Sequence, residues 1–298
     1  MKDIAASVLA KLKNKSKEFD ITYQQCLLLF VQEEFLRRLS KSKYANNLIL
    51  KGGYFIYTLT NFKSRTTVDV DFLLNKAPTS LEEVKKIIDC IITTPTNNDY
   101  IQMTASSFEE ISIQRKYKGV SAQIIAEIKR VRIPFSIDIG VDDIIVPGAQ
   151  LIRVTTQLSD FEKPEIKTYS VESVIAEKFD AMLRRMEFTS RMKDFYDIYY
   201  VAQTFDFNGL ILQAAIYETL QHRATDYESS SFERIMELVN DESILQRWSH
   251  FKNSMPGVYI ELSVVLDCIQ DFLEPIFTAI VNETQFLLNW NSIESKWY

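Results

Sequence analysis

The chain is poor in the residues from which many active sites are assembled. Histidine occurs twice and cysteine three times in 298 residues. His222 and His250 stand unaccompanied, with no ligand or triad spacing around them, and no serine sits in a nucleophile elbow. Cys26, Cys90 and Cys268 are odd in number, far apart and each in an apolar run. That excludes a zinc-ligand pattern and a disulfide framework and implies a reducing compartment. Long apolar runs are missing too: "CLLLFV" is far short of a membrane span. "GVYIELSVVLDCIQDFLEPIFTAIV" is long enough, but Glu261, Asp267, Asp271 and Glu274 interrupt it, so it reads as an amphipathic buried helix. "MKDIAASVLAKLKNKSKEF" lacks the h-region and cleavage site of a signal peptide. A soluble, cytoplasmic protein without a membrane partner is expected. An excess of basic charge is also lacking: the net charge is −6, and charged residues, 25% of the chain, are interspersed. A protein that coats nucleic acid is thereby excluded, and any polyanion must be held by a local patch.

Apolar residues make up 46% of the chain, enough for one large domain or two modest ones. Residues 22 to 40 repeat apolar side chains at the spacing of one helix face: Leu27, Leu28, Val31, Phe35, Leu36 and Leu39. "NLILKGG" reads as a short strand ending in glycines, "YFIYTLTNF" as a short helix behind them and "TTVDVDFLL" as a second strand. "TSLEEVKKIIDCII" reads as a helix capped by Thr79 or Ser80, with acidic residues in its first turn. "EISIQRKYKG", "VSAQIIAEIKRV" and "IPFSIDIG" are strand-like. From about residue 170 the pattern turns helical. The expected fold class is α+β: a mixed sheet with flanking helices over residues 1–165, then a helical domain over 166–298. No repeat or low-complexity tract is present.

The chemistry centres on "LKGGYFIYTLTNFKSRTTVDVDF", residues 50–72. On a strand, Asp69 and Asp71 point to one face and Val68, Val70 and Phe72 to the other. Two like charges that close raise each other's pKa unless a cation lies between them, and a hard divalent ion with oxygen ligands is the usual solution. Asp138 repeats the pattern in "FSIDIG", sharing a face with Ser136 and Gly140; if the two strands are neighbours, three carboxylates converge. An Asp-x-Asp on a solvated strand face is common by itself, but aspartate is depleted in strands, and here it follows a glycine pair. Glycines at such a turn let backbone N–H groups approach a phosphate at a helix N-terminus. A Gly-Gly turn, a short helix, Asp-x-Asp and a further Asp make up the parts needed for metal-assisted nucleotidyl transfer, in which two Mg²⁺ would bridge a triphosphate and activate an attacking hydroxyl. Lys51 and Arg65 flank the turn, either to bind phosphate or to neutralise the aspartates.

These residues resemble the nucleotidyltransferase toxins of the AbiEii/AbiGii type, the toxin halves of bacterial abortive-infection and toxin–antitoxin pairs. The likeness lies in the Lys-Gly-Gly turn followed by an arginine, a hydroxyl residue and Asp-x-Asp. It continues in "IPFSIDIGVDDIIVPGA" and in "YSVESVIAEKFDAMLRRMEFTSRMKDFYDIYY", and so covers roughly residues 30 to 200. By position, the resemblance implies that Gly52 and Gly53 hold the triphosphate of an NTP with Lys51, Arg65 and Thr66, and that Asp69 and Asp71 bind Mg²⁺ (or Mn²⁺), with Asp138 as a third ligand. It makes Lys178 the basic residue of a third motif and Asp194 the acidic residue of a fourth. It also implies a polymerase-beta-like nucleotidyltransferase fold whose helical domain contributes to the active site, a tRNA 3′ end as acceptor and, as partner, a separately encoded winged-helix antitoxin, with or without a stable complex. The chain departs from the family where relatives have Gly-Asp before Ile-x-Pro: Asp142 and Asp143 stand there instead, which leaves that turn's role open. Many superfamily members have Gly-Ser in place of Gly52-Gly53.

Read on their own, the helical motifs allow plainer roles. Lys178 lies at the margin of a stripe formed by Val174, Ile175, Phe179, Met182 and Met186, where a lysine ordinarily snorkels. Glu177 and Asp180 can pair with Arg184. Arg191, Asp194 and Asp197 recur at i, i+3 and i+6, and an acidic residue opening a helix is expected from the macrodipole. A candidate RNA patch comprises Arg115, Lys116, Lys118, Lys129, Arg130 and Arg132 with Arg184 and Arg185, although most basic clusters are simply solvated faces. The acceptor stays open between RNA and a protein hydroxyl, with a catalytically idle nucleotide- or RNA-binding module as the third possibility.

Overall fold

The apolar stripe of residues 22–40 does form a helix, entered through a capping box. Thr22 Oγ1 accepts from the N–H of Gln25, and the Gln25 side chain accepts from the N–H of Thr22. The computed structural model describes residues 3–111, 119–255 and 258–298. These fall into two compact units, Met1–Asp142 with Gln150–Thr168, and Asp143–Ala149 with Tyr169–Tyr298. The segment Asp143–Ala149 thus belongs with the helices of the second unit although it lies within the α/β half of the sequence.

In chain order the first unit runs α1 (Ile4–Glu18), α2 (Tyr23–Lys41), β1 (Leu48–Lys51), α3 (Gly52–Leu59), β2 (Val70–Leu74), α4 (Leu81–Ile92), β3 (Ile101–Ile111), β4 (Gly119–Ile128), β5 (Val131–Val141), β6 (Gln150–Arg153) and β7 (Glu165–Thr168). The strands form one seven-stranded mixed sheet in the order β3-β4-β5-β2-β1-β7-β6. β2 pairs parallel with β5 and β1 parallel with β7, and the other neighbours are antiparallel. β4 and β5 alternate buried and more exposed positions, as a sheet with one face on the core requires. α4 is capped by Ser80, whose hydroxyl accepts from Glu83 N–H, and carries Glu82 and Glu83 in its first turn.

α2 is buried almost throughout, including four charged side chains: Glu33, Glu34, Arg37 and Arg38. They are retained because each finds several partners. Arg37 donates to Glu33 at 3.1 Å, to Glu34 at 2.9 Å and to the Glu162 carbonyl at 2.9 Å. Arg38 donates to Glu34 at 3.2 Å and to the carbonyls of Ile92 and Ile101. Glu34 also accepts from Thr96 and Asn98, both at 2.6 Å, and Glu33 from the Gln157 N–H at 2.9 Å. Burial pushes the Glu33 carboxyl up to about 7, against the opposing pull of Arg37.

The second unit continues with α5 (Val171–Arg185), a 3₁₀ turn (Met186–Phe188), α6 (Met192–Ala202), β8 (Phe207–Asn208), α7 (Gly209–His222), α8 (Ser231–Glu237), α9 (Glu242–Ser254), α10 (Leu262–Val281), β9 (Asn289–Asn291) and β10 (Lys296–Trp297). α10 buries Leu262, Val265, Leu266, Ile269, Phe272, Leu273 and Ile276, while Asp267 and Asp271 stay exposed, as its amphipathic pattern predicts. Among the described residues no helix is long and apolar enough to cross a membrane. The short strands β8, β9 and β10 form a small antiparallel sheet that propensity did not predict. Its Trp290 is buried against Phe272 and donates to the Ala202 carbonyl at 2.7 Å.

Candidate active site

In the first unit the expected site residues come together where α3 leaves β1. The antiparallel register of β1 and β2 places Lys51 beside Asp71, and the parallel register of β2 and β5 places Asp71 beside Asp138. Residues paired in register on neighbouring strands share a face and sit about 5 Å apart. Gly52 then turns the chain at φ +70°, and a Cβ there would lie 2.3 Å from Asp71 Oδ2. Glycine is required at residue 52 on both counts: the left-handed backbone and a carboxylate resting against its Cα. Gly53 is crowded by other groups, with Arg65 Nη2 3.0 Å and Thr67 Oγ1 3.4 Å from where its Cβ would be. Arg65 is buried and donates to the Thr66 carbonyl at 3.4 Å. The Lys51 amine reaches β5, where it lies 3.7 Å from the Cβ position of Gly140. Lys51, Gly52, Gly53, Arg65, Asp71 and Asp138 thus lie around one turn, and Thr66 and Asp69 stand on the segment between Arg65 and β2.

Two expectations need correction. β2 begins at Val70, so Asp69 precedes the strand, and Val68, expected on the core face, is 59% exposed. The strand register therefore does not orient Asp69; a side chain does, through Ser136 Oγ, which donates to Asp69 Oδ1 at 3.0 Å. Nor do three carboxylates converge: among the described residues no group of three His, Cys, Asp or Glu side chains is gathered closely enough to hold a metal ion. The donor set still suits Mg²⁺. That ion takes oxygen ligands, keeps much of its water and is held by one or two carboxylates together with substrate phosphates. Half-buried Asp69, Asp71 and Asp138 offer oxygen alone, beside a turn that a side chain would fill. Ser136 and Thr67, to which the sequence reading gave no role, are the additions; the shared face of Ser136 and Asp138 was the only available signal for the first.

In the second unit α5 and α6 are tied by charge. Lys178 does not snorkel: it is buried and donates to Asp194 Oδ1 at 2.8 Å and to Asp197 Oδ2 at 2.7 Å. Arg191 Nε lies 3.1 Å from the other Asp194 oxygen. Nearby on α5, Asp180 pairs with Arg184 as expected and also accepts from Arg223 and Thr225. Arg223 further binds Asp143 at 2.6 Å and Glu177 at 3.0 Å, and Glu177 accepts from Tyr169 at 3.0 Å. Burial alone would lower the Arg223 pKa, but Glu177, Asp143 and Asp180 outweigh it and the net direction is up. Asp143, whose role the sequence left open, is thereby a partner in this ionic network. Tyr196 is core, with Tyr199 and Tyr200 at its rim.

Of the expected RNA patch, Arg115, Lys116 and Lys118 lie outside the described residues. Lys129 is ion-paired with Asp3, and Arg132 with Glu127 at 3.1 Å.

A mixed sheet with a Gly-Gly turn leading into a helix, and aspartates on the adjoining strands, is the arrangement of a nucleotidyltransferase fold. The family model of the AbiEii nucleotidyl transferase toxin, of type IV toxin–antitoxin systems, matches residues 34–268, and the chain belongs to that family. Among solved structures, the fold is similar to MenT4, a nucleotidyltransferase toxin from Mycobacterium tuberculosis, at 13% identity and a TM-score of 0.56, covering 93% of this chain and 99% of that one. JHP933 from Helicobacter pylori is similar at 13% identity and a TM-score of 0.47, covering 85% of this chain and 92% of that one. No curated protein matches the chain in sequence.

Proposed function

We propose that the chain moves an NMP from an NTP to an RNA hydroxyl, with Mg²⁺ held by Asp69 and Asp71, as the toxin of a pair whose antitoxin is separately encoded. The observation that carries this reading is the Asp71 carboxylate resting against Gly52, in register with Asp138, at the start of α3. In this reaction class an acceptor hydroxyl attacks the α-phosphorus; one O–P bond forms, the Pα–O–Pβ bond breaks and pyrophosphate leaves. Bound at these carboxylates, Mg²⁺ supplies Lewis-acid polarisation of phosphoryl oxygens. The chain's own part is electrostatic and geometric. Ser136 holds one carboxylate in place, Gly52 makes room for the other, and Lys51 and Arg65 set positive charge beside the turn where a triphosphate would lie.

Family membership supports the toxin role, and the resemblance points to tRNA 3′ ends as acceptor. Lys178 and Asp194 carry the third and fourth motifs of the same family; their mutual ion pair holds α5 to α6. The test is to incubate the protein with each α-labelled NTP, Mg²⁺, total tRNA and a cell extract, beside an Asp69→Ala variant. Asp69-dependent label on RNA is expected. Label on protein would replace the acceptor, and no Asp69-dependent label would overturn the enzyme reading in favour of an idle binding module.

A further inference from the structure

We infer that the elbow joining α5 to α6 is a binding surface for an unpaired nucleic-acid strand, with Phe188 as its base-stacking platform. Phe188 is 83% exposed, so it forgoes the apolar burial that a phenylalanine ordinarily gains. It is nevertheless held in place. Thr189 N–H donates to the Met186 carbonyl at 3.0 Å, Arg247 to the Thr189 carbonyl at 2.7 Å, and Arg191 N–H to Thr189 Oγ1 at 3.1 Å. Met186 takes a positive φ of +42°, a strained conformation for a side chain of its size, and the chain then presents Phe188 to solvent.

The charge around this ring is the reverse of the chain's net −6. Arg184, Arg185, Arg191 and Lys193 lie within five residues of Phe188 in sequence against one acid, Glu187, and the Thr189 hydrogen bond brings in Arg247; Arg184 and Arg191 also pair with Asp180 and Asp194. Other strongly exposed large apolar residues of this unit lack that excess: within five residues Tyr259 has Glu261 and no basic residue, and Ile293 has Glu294 balanced by Lys296. An exposed aromatic ring among arginines is the combination that grips single strands, the cations tracking phosphates and the ring taking a base. A blunt duplex keeps its interior bases stacked on one another and offers the ring only its two end pairs. The elbow also joins the helices that carry Lys178 and Asp194, and Arg191 contacts Asp194 directly. As the acceptor's docking surface the inference rests on the nucleotidyl-transfer reading, but binding itself can be measured without transfer.

The experiment uses the full chain carrying Asp69→Ala, so that the probe is not modified, and follows fluorescence anisotropy of a labelled single-stranded RNA of roughly 10 nucleotides. A blunt RNA duplex of similar length serves as control. The single strand is expected to bind in preference to the duplex. Phe188→Ala should weaken it at least about fivefold, the low end for loss of one base stack, and Phe188→Trp should retain it. Arg185→Glu should weaken it and flatten its salt dependence. Because Phe188 is exposed, its variants should melt with the parent, which excludes misfolding as the cause. Equal binding by Phe188→Ala, equal binding of the duplex, or no binding of the single strand would each overturn the inference. In the last case, Asp69-dependent label on protein would leave nucleotidyl transfer standing. Phe188-dependent binding by a wild-type chain that transfers nothing would uphold the elbow and sink the enzyme reading.

Discussion

Two groups of charged side chains in the first unit show opposite ways of carrying charge. Along α2, Glu33, Glu34, Arg37 and Arg38 are buried, and each oxygen or guanidinium is met by protein partners from α2, from the carbonyls of Ile92, Ile101 and Glu162, and from Thr96, Asn98 and Gln157. At the start of β2 and on the neighbouring β5, Asp69, Asp71 and Asp138 remain half-buried and solvent-reachable, with Gly52 and Gly140 beside them. The first arrangement specifies how α2 sits in its unit. The second leaves carboxylate oxygens within reach of solvent, which is what a cationic ligand needs. Sequence spacing alone does not separate them, since both are short runs of charge within apolar surroundings.

If the contrast is right, changes at the two places fail differently. The largest effect is expected from Asp69→Ala, with transfer falling at least about a thousandfold, the scale of the several kcal/mol a Lewis-acid metal supplies. Its thermal melt should stay near that of the wild type. Gly52→Ala should lose comparable activity, because the new methyl displaces the Asp71 carboxylate; rates and melting curves for both variants check this. Glu34→Ala should do the reverse, destabilising the fold by about 3–5 kcal/mol in urea titration by leaving two buried guanidinium groups undercompensated.

A smaller effect is expected from Glu33. Its carboxyl is raised to about 7 in the folded chain from 4.5, so between those values the native state holds a proton that the unfolded state has lost. Its contribution to stability is complete below about pH 4.5 and declines by about 3 kcal/mol as pH rises to about 7. Urea titrations across that range should show the decline in the wild type and not in Glu33→Gln. The smallest change belongs to Ser136→Ala. Losing a hydrogen bond to a charged carboxylate should weaken Mn²⁺ affinity, measured by direct titration, roughly tenfold, while Ser136→Thr retains it. Unchanged affinity would assign the bond to packing alone.

Much of this was legible beforehand, for identifiable reasons. α2, α4 and α5 have long apolar periodicity and clear N-caps, and α10 has the periodicity alone, so sequence reading placed them well. The Gly-Gly turn and Asp-x-Asp were visible as unlikely residues for a strand. What escaped was short or dependent on context. α1 was read only for what it lacked, α9 shows only a weak stripe, and β6, β7 and the small C-terminal sheet have two to four residues per strand, too few for a period. The start of β2 was misplaced by extending alternation back through Val68, which the structure leaves exposed. "EEFLRR" has the i, i+3 and i, i+4 spacings of a surface ion-pair ladder, and nothing local says that its partners come from residues 92–101 and 157–162. The snorkelling alternative for Lys178 failed for the same reason, since Asp194 and Asp197 meet it only once α5 and α6 have packed.

The most direct measurement compares NTP labelled at the α- or the γ-phosphate, with an RNA acceptor, in wild type and Asp69→Ala. The account predicts α-label on the acceptor, γ-label in released pyrophosphate and neither in the variant. Label passing from the γ-phosphate to the acceptor, or α-label transferred equally by Asp69→Ala, would contradict it.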